Sequence, residues 1–278
     1  TLLAVIAGNF AFSMRGEAQI ARNLVSTAQA QAHADAGVQR AWYELMKPPA
    51  DSQRWQGNGV VHELLMDGVV VQVSVHDESG KIDLNTASEP LLKGLLLSVG
   101  LSEDASVALL DAILDWRDAD PLKRLHGAEE EDYRAAGKSF VPSNAPFETV
   151  DELQRVLGMT PELYRMLAPA LTVYSRQPGI NTVVASREVL KAIPGINPAL
   201  VEQYLVQRQA LIATDQKAPA FAGAGSFASS AAGLPAYFVR SVAKMADGTV
   251  FVRQAVARLA QDAKRPFAVL AWTEGDAE

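Results

Sequence analysis

Between Glu17 and Met46, apolar side chains recur every three to four residues, and alanine, the strongest helix former, is abundant. The stripe comprises Ile20, Leu24, Thr27, Ala28, Ala34, Val38, Trp42 and Leu45. With the apolar start Leu2–Met14 it predicts a single helix of about 45 residues, roughly 65 Å long, that ends before Pro48 and Pro49. Because one small domain cannot bury a helix of that length, we expect its first half to pack against lipid or neighbouring helices.

The hydrophobic period then changes from about 3.6 to two, which predicts strands. The turn pairs Asp67-Gly68 and Asp247-Gly248 are typical of hairpins. The predicted strands are Val60–Met66, Val69–His76, Tyr237–Lys244, Thr249–Leu259 and Phe267–Thr273. Because two or three strands alone are marginal, one five-stranded antiparallel sheet on the second half of the helix is the most economical arrangement.

The middle of the chain, from about Leu84 to Arg208, is helix-like and punctuated by Gly, Pro and Asp. The following stretch is rich in Ala, Gly and Ser and is typical of a flexible loop. The sequence therefore predicts an α+β fold in which an all-α domain interrupts the sheet. The predicted limits are 1–46 for the helix, 47–82 with 234–278 for the sheet, 83–215 for the inserted domain and 216–233 for the loop.

Composition narrows the possible functions. The net charge of −7 disfavours a nucleic-acid partner, and the absence of cysteine excludes disulfides and thiolate chemistry. The four histidines are scattered without the spacing of a zinc site, and no Gly-x-Ser-x-Gly elbow occurs. We therefore expect a structural protein and not an enzyme.

The apolar start is too short to span a bilayer, which takes roughly 20 apolar residues. We interpret residues 1–14 as the C-terminal half of a membrane segment whose beginning is not in this sequence. A signal-peptide remnant or a buried core helix is the alternative. The side chains expected in the membrane are Leu2, Leu3, Val5, Ile6, Phe10 and Phe12.

Carboxylates are concentrated between 115 and 132, at the end of a predicted helix and in the segment that follows it. So many acids at short spacing repel one another unless a cation neutralises them, and Ca²⁺ takes six to eight oxygen ligands. Helix capping and solvated surface charge are the alternative reading. The candidate calcium ligands are Asp115, Asp118, Asp120, Glu129, Glu130 and Asp132.

The segment from Leu190 to Arg208 has the pattern of a helix-hairpin-helix unit, with a weaker copy between Asp83 and Leu101. DNA-binding versions carry Gly-hydrophobic-Gly in the hairpin, so that backbone N–H groups meet phosphate. Here Asn197 stands in place of the second glycine, and the surroundings are acidic. We interpret both units as packing scaffolds, with DNA contact as the alternative.

Several motifs, in order along nearly the whole chain, resemble the general secretion pathway protein K family, the K-type minor pseudopilins of type II secretion. Residues 77–85 are similar to the segment that opens that family's helical insertion. Further motifs are similar to its acidic motifs, later helices and last strand: Asp115–Asp120, Gly127–Tyr133, Glu152-Leu153, Ile180–Thr182 and Phe267–Trp272. The resemblance implies a pilin-like fold with a helical insertion, and it implies calcium binding.

The resemblance also implies partners and a location. The partners would be the I-type and J-type minor pseudopilins, the major pseudopilin and the inner-membrane assembly platform, with no nucleic acid. The chain would cap the tip of the pseudopilus and support protein export, anchored in the bacterial inner membrane with its bulk in the periplasm. The stripe residues expected to meet its own sheet or partner helices are Ile20, Leu24, Ala28, Val38 and Trp42. A membrane-tethered DNA-uptake protein and a type IV pilus tip pilin are the rival interpretations.

Overall fold

The computed structural model describes residues 2–48, 50–214, 216–229, 234–260, 262 and 264–276, with side chains omitted for 2–9 and 11. Its helices and strands follow in the order α1 (Leu2–Met46), β1 (Asn58–Met66), β2 (Val69–Asp77), β3 (Ile82–Asp83), α2 (Glu89–Ser98), α3 (Glu103–Arg117), α4 (Glu130–Ala135), α5 (Pro161–Leu167), β4 (Leu171–Thr172), α6 (Arg187–Lys191), α7 (Pro198–Ala213), β5 (Ala236–Lys244), β6 (Val250–Leu259) and β7 (Phe267–Glu274). Short 3-10 helices cover Glu78–Gly80, Val150–Arg155, Ala168–Ala170 and Ala222–Phe227.

The chain forms two compact units, and the sheet unit combines Thr1–Asp77 with Tyr237–Glu278. Its five strands lie in the order β1-β2-β5-β6-β7, so that strands from both ends of the chain share one layer. The antiparallel register of β2 and β5 runs from Val70 opposite Lys244 to Asp77 opposite Tyr237. The predicted strands and the single predicted N-terminal helix are confirmed, to within two residues at each end.

The core of the sheet unit lies between the second half of α1 and one face of the sheet. Alanine is frequent on the helix side and valine on the strand side, which lets the helix lie close to the strands. Fully buried members are Ala30, Ala34, Val38, Ala41, Val71, Val73, Val75, Val239, Ala243, Ala255 and Ala257. The predicted α+β fold, a long helix on an antiparallel sheet, is therefore confirmed.

The helical unit spans Glu78–Ala236, between β2 and β5 in sequence. Its helices surround a separate core whose largest fully buried side chains include Trp116, Tyr133, Leu91, Leu153 and Leu190. The sequence analysis did not predict the short parallel pair β3–β4, in which Ile82 lies opposite Leu171 and Asp83 opposite Thr172. Two residues per strand are too few to produce a recognisable alternation.

The helical unit begins before the predicted boundary at residue 83, because Glu78 and its neighbours are buried within it. The Thr172 hydroxyl donates a hydrogen bond to the Glu78 carboxylate, and Lys81 Nζ lies 2.7 Å from Glu78 Oε1. The backbone N–H of Asn181 donates to the carbonyl of Ser79 at 2.8 Å. Hydrogen bonds and ion pairs of this kind do not alter the hydrophobic pattern on which the predicted boundary was based.

The helical unit also extends past the predicted limit at 215. The described part of the predicted loop, residues 216–229, contains the 3-10 helix Ala222–Phe227 and buries Phe221 and Ala224 in the helical core. The ring of Phe221 lies 4.9 Å from that of Tyr204. Packing of one aromatic anchor thus fixes a segment whose composition alone is typical of a loop. Residues 230–233 lie outside the described residues.

Candidate functional site

The surroundings of helix α1 differ along its length. Ser26 is the first buried residue among its described side chains, and from there one stripe packs on the sheet. The helix lies close to the sheet at Gly37, where an added Cβ would lie 2.2 Å from Ser241 Oγ and 2.9 Å from Val71 Cγ1. Val38 and Trp42, two of the predicted packing residues, are buried here against the chain's own sheet.

Two polar contacts fix the helix to strands that are distant in sequence. Ser26 Oγ donates a hydrogen bond to Asp247 Oδ2 at 2.6 Å and lies 3.0 Å from Thr249 Oγ1, both at the turn between β5 and β6. The hydrogen bond from Ser26 lowers the pKa of the Asp247 carboxyl. Further along, Arg253 Nε donates to Asp35 Oδ1 at 2.6 Å. The sequence showed Asp247 only as a turn residue, so this second role was not predicted.

The first half of α1 presents apolar side chains to solvent. Ile20 is 62% exposed and Leu24 67%, and Ala28 is also exposed. The predicted stripe therefore divides into a sheet-facing part and a part that no described residue covers. Further exposed apolar side chains on this half are Phe10, Phe12, Met14 and Val25.

The predicted membrane residues all lie in the first half of α1. Phe10 and Phe12 are 67% and 80% exposed, while the side chains of Leu2, Leu3, Val5 and Ile6 lie outside the described residues. Within the described part of the chain, no helix combines the length and apolar character needed to cross a membrane.

An open groove lies where α1 leaves the sheet. It has a volume of about 530 Å³ and is bounded on one side by the turn between β5 and β6. Its lining is mainly apolar or small and includes Ala21, Arg22, Val25, Gln29 and Met245. The exposed half of α1 and this groove together form a surface of the sheet unit suited to receiving another helix.

In the helical unit, the acidic segment begins at the end of α3 with Asp115, which is fully buried. Its carboxylate accepts the backbone N–H of Arg124 at 3.3 Å, so it folds the following segment back onto α3. Gly127 is required beside it, because an added Cβ would lie 1.9 Å from Asp115 Oδ2. Burial raises the pKa of the Asp115 carboxyl, opposed by the hydrogen bonds from Arg124 and Ala128.

Asp118 and Glu129 share the surroundings of Asp115. Burial raises the pKa of both carboxyls, and repulsion from Asp120 raises the pKa of each further. Asp118 Oδ1 and Glu129 Oε1 are buried and accept no hydrogen bond from any described residue. Two unpaired buried carboxylate oxygens are costly, so this part of the cluster has an unmet requirement for a donor or a cation.

The other predicted ligands are used differently. Glu130 forms an ion pair with Arg134 one turn along α4. Asp132 Oδ2 accepts the backbone N–H of Glu129 at 2.9 Å as part of a capping box, and Asp132 Oδ1 lies 2.6 Å from Lys123 Nζ. Lys123 lowers the pKa of the Asp132 carboxyl. The helix-capping interpretation therefore describes Asp132, which shares the capping box with Glu129, whereas Glu130 is paired along the helix. Asp120 accepts the N–H of Leu122 in a local turn.

No three acidic or histidine side chains within the described residues enclose a metal ion as they stand. The cluster nevertheless supplies oxygen donors alone, the type that Ca²⁺ prefers. Asp118 and Glu129, with Asp115 and Asp120 nearby, are the residues whose unsatisfied or mutually repelling oxygens a bound cation would neutralise. The calcium site at the six predicted ligands stays a prediction.

The predicted helix-hairpin-helix unit corresponds to α6, a turn through Gly195 with a φ of +71°, and α7, which Asn197 caps. Its basic side chains are engaged within the unit. Arg187 and Lys191 both pair with Glu202, at 3.2 and 3.1 Å. Arg208 Nη1 donates to backbone carbonyls, the shortest contact being 2.7 Å to Ala185.

Comparison with known proteins bears on the whole chain. The family sequence profile described as type II secretion system (T2SS), protein K matches residues 70–179, from β2 into the helical unit. Type II secretion system protein K of Pseudomonas aeruginosa is 30% identical over 154 residues, which is 52% of this chain and 46% of that relative. The chain is similar to type II secretion system protein K over these residues.

Other type II secretion system K proteins are also similar to this chain. The Klebsiella pneumoniae protein is 35% identical over 101 residues, covering 35% of this chain and 31% of that protein. The Aeromonas hydrophila protein is 26% identical over 219 residues, covering 68% and 66%. The chain thus spans about half or less of the length of the first two curated relatives, and about two thirds of the third.

A solved structure extends the likeness to the fold. It is a chain of the GspK-GspI-GspJ complex from the enterotoxigenic Escherichia coli type 2 secretion system, with a TM-score of 0.65. The likeness covers 95% of this chain and 99% of that chain at 17% sequence identity. The match therefore includes residues of both the sheet unit and the helical unit.

Proposed function

We propose that this chain is the minor pseudopilin that caps the pseudopilus tip, in a complex with the I-type and J-type minor pseudopilins, and so supports protein export across the outer membrane. The likeness to protein K relatives supports a role in the secretion machine. The solved relative comes from a GspK-GspI-GspJ complex, which supports the choice of partners.

The observation that carries the proposal is the division of α1. From Ser26 onward one stripe of the helix is buried against its own sheet, whereas Ile20 and Leu24 project into solvent one helical turn apart. A helix that keeps such apolar positions uncovered requires another surface to remove them from water. Helices of the I-type and J-type subunits, and of the major pseudopilin, are the surfaces we propose.

The helical unit gives the subunit its capping role in this proposal. It is the longer of the two units and interrupts the sheet between β2 and β5. A subunit of this bulk would prevent a further subunit from adding above it. The assembly platform would then extend the pseudopilus only from below.

Co-expression of the chain with the I-type and J-type subunits of the same machine tests the proposal. We expect an equimolar complex, lost in the double variant Ile20→Glu/Leu24→Glu because two charges would enter an apolar helix interface. Leu65→Glu is the matched control, since Leu65 is 76% exposed on β1. Failure of the unaltered chain to associate in calcium-containing buffer would overturn the assignment.

We also propose that Ca²⁺ binds at the acidic cluster through Asp115, Asp118, Asp120 and Glu129. The unpaired buried oxygens of Asp118 and Glu129 support the proposal. The cation would neutralise the repulsion among these carboxylates and so hold the segment between α3 and α4 in place. The bound cation would stabilise the fold, because a ligand that binds only the folded state raises the stability of that state.

Thermal unfolding with calcium and with a chelator tests this second proposal. Calcium is expected to raise the Tm of the unaltered chain and to leave that of Asp118→Asn/Glu129→Gln unchanged. Glu130→Gln is the control and should keep the calcium response, because Glu130 pairs with Arg134. An identical Tm with calcium and with chelator in the unaltered chain contradicts the proposal.

Anchoring in the inner membrane with the bulk in the periplasm is part of the same proposal. The apolar start of α1 supports it, and fractionation of cells followed by protease accessibility tests it. Recovery of the chain in the cytoplasmic fraction would contradict it. The rival assignments predict a duplex-DNA gel shift for an uptake protein, or co-purification with type IV pilins for a pilus tip subunit.

A further inference from the structure

The segment that joins α3 to α4, residues 119–128, presents two leucines to solvent, and we call it the leucine loop. Leu122 is 74% exposed and Leu125 85%. Ala128, at the end of the same loop, is 3% exposed, so the loop does not simply lie away from the helical unit. Its two largest apolar side chains point outward while its end packs inward.

The backbone of the leucine loop is held onto α3 at two points by carboxylates, and a third carboxylate fixes a local turn within the loop. Each carboxylate accepts a backbone N–H, which fixes the main chain without covering the leucines. The bonds run from Leu122 N to Asp120 Oδ1 at 2.9 Å, from Arg124 N to Asp115 Oδ1 at 3.3 Å and from His126 N to Asp111 Oδ2 at 3.1 Å. The conformational entropy of the loop is therefore already lost on folding. Binding through the leucines does not require that loss again.

Single exposed leucines are common on protein surfaces, but here two of them lie three positions apart on a loop whose backbone is held. We propose that the leucine loop docks into an apolar cleft, rimmed by basic side chains, on another protein of the secretion machine. The proposal goes beyond tip capping, because it assigns a second surface in the helical unit, distinct from the exposed half of α1.

The charge around the loop determines which partner fits. Residues 118–132 carry six carboxylates against Lys123 and Arg124, a net charge of −4 with His126 neutral. A bound divalent cation would leave this segment negative. Electrostatic complementarity therefore favours a cleft bordered by Lys or Arg.

The same charges disfavour a lipid surface. The two basic residues are held by carboxylates, with Lys123 Nζ 2.6 Å from Asp132 Oδ1 and Arg124 Nη1 3.2 Å from Glu89 Oε1. Membrane-inserting loops combine apolar tips with free basic side chains that meet anionic headgroups. An acidic surrounding with both cations paired is the opposite arrangement, so we commit to a protein partner.

The test places a photo-crosslinking amino acid at exposed Ala119 of the full chain, in cells that are secreting. We expect one discrete adduct whose crosslinked partner peptide is apolar and flanked by Lys or Arg. Leu122→Ser/Leu125→Ser should reduce the adduct about tenfold or more, the effect of losing anchor residues. Glu131→Lys should weaken it as well, because it reverses one charge beside the loop.

The matched control is Leu200→Ser/Val206→Ser, which removes two exposed apolar side chains from α7 in the same unit and should leave the adduct unchanged. Complex formation with the I-type and J-type subunits is measured in the same cells, so failure of the tip assignment is seen separately. Absence of an adduct, or an adduct that survives loss of both leucines, overturns the proposal. Leucine-dependent flotation with phosphatidylglycerol vesicles would also overturn it, in favour of lipid.

Discussion

At the residue scale, glycine at position 37 determines how closely α1 approaches the sheet. Glycine inside a helix costs about 0.5–1 kcal/mol relative to alanine, so its presence requires another benefit. That benefit is the contact with Ser241 and Val71, which leaves no room for a Cβ. The sequence revealed Gly37 only as an interruption of an alanine-rich helix, because steric clearance depends on residues 34 and 204 positions away.

Replacing Gly37 with alanine is expected to lower the free energy of unfolding of the sheet unit by about 1–3 kcal/mol, the usual cost of overpacking. The loss would occur despite the better helix propensity of alanine. Urea unfolding measures it. Gly16→Ala is the control, because a Cβ added at that position would meet no atom of the described residues within 4 Å. A Gly37→Ala midpoint equal to or above that of the unaltered chain would contradict the close packing described for α1.

His62 provides a second residue-scale prediction. Its ring stacks on Trp55 with centroids 3.9 Å apart, and burial lowers its pKa, opposed by attraction to Glu44. A lowered pKa means that the unfolded chain binds the proton first, so stability falls as the pH drops below about 6.5.

Replacing His62 with Gln should flatten the dependence of unfolding free energy on pH between 7 and 5. The difference should stay well under the ~1.4 kcal/mol that one full pKa unit represents, because the ring is only partly buried. Chemical unfolding at a series of pH values measures it, with His126→Gln as the control at an exposed position. An unchanged slope in His62→Gln would show that other groups carry the pH dependence.

At the element scale, periodicity predicted α1 and the five strands, because each is long enough for its hydrophobic period to repeat. It did not predict β3, β4 or the packed state of residues 216–229. These depend on buried polar contacts and on one aromatic anchor, Phe221, which leave no periodic signal. For the acidic segment, spacing alone did not show that Glu130 and Asp132 pair with Arg134 and Lys123, whereas one oxygen each of Asp118 and Glu129 is buried without a partner. That division follows from the path of the backbone.

The contact between α1 and the turn preceding β6 gives an element-scale prediction. Without the hydrogen bond from Ser26 to Asp247, the helix is expected to loosen where it leaves the sheet. Ser26→Ala should therefore speed amide hydrogen exchange in residues 22–29 severalfold, with little change in β2. Gln19→Ala, which removes contacts made within the helix, is the control. Equal amide exchange rates in the two variants would show that apolar packing alone, and not this hydrogen bond, holds α1 on the sheet.

At the scale of the whole molecule, the two units have separate cores. The helical core includes Leu153 and Trp116, and the sheet core includes Val73. The helical unit, Glu78–Ala236, extends beyond both ends of the predicted insertion at 83–215. The limits are determined by Glu78 at one end and Phe221 near the other, neither of which stands out in a hydrophobic pattern.

Substitutions in the two cores are expected to act on different units. Leu153→Ala should destabilise the helical unit by about 2–5 kcal/mol through the cavity it leaves. Hydrogen exchange should register this loss in α2 and α3, while Val73→Ala should instead accelerate exchange in β2 and β5. If either substitution accelerated exchange equally in all of these elements, the cores would unfold as one cooperative body.

The pairing of Asp77 with Tyr237 has a consequence for how such a protein could arise. The chain departs from the sheet and returns to it at directly opposed positions on adjacent antiparallel strands, the geometry that a tight hairpin also satisfies. An ancestor with a simple β-meander could thus have gained the helical unit by one insertion at that hairpin. The insertion would have kept every strand pairing, so the order of strands in the sheet did not have to change.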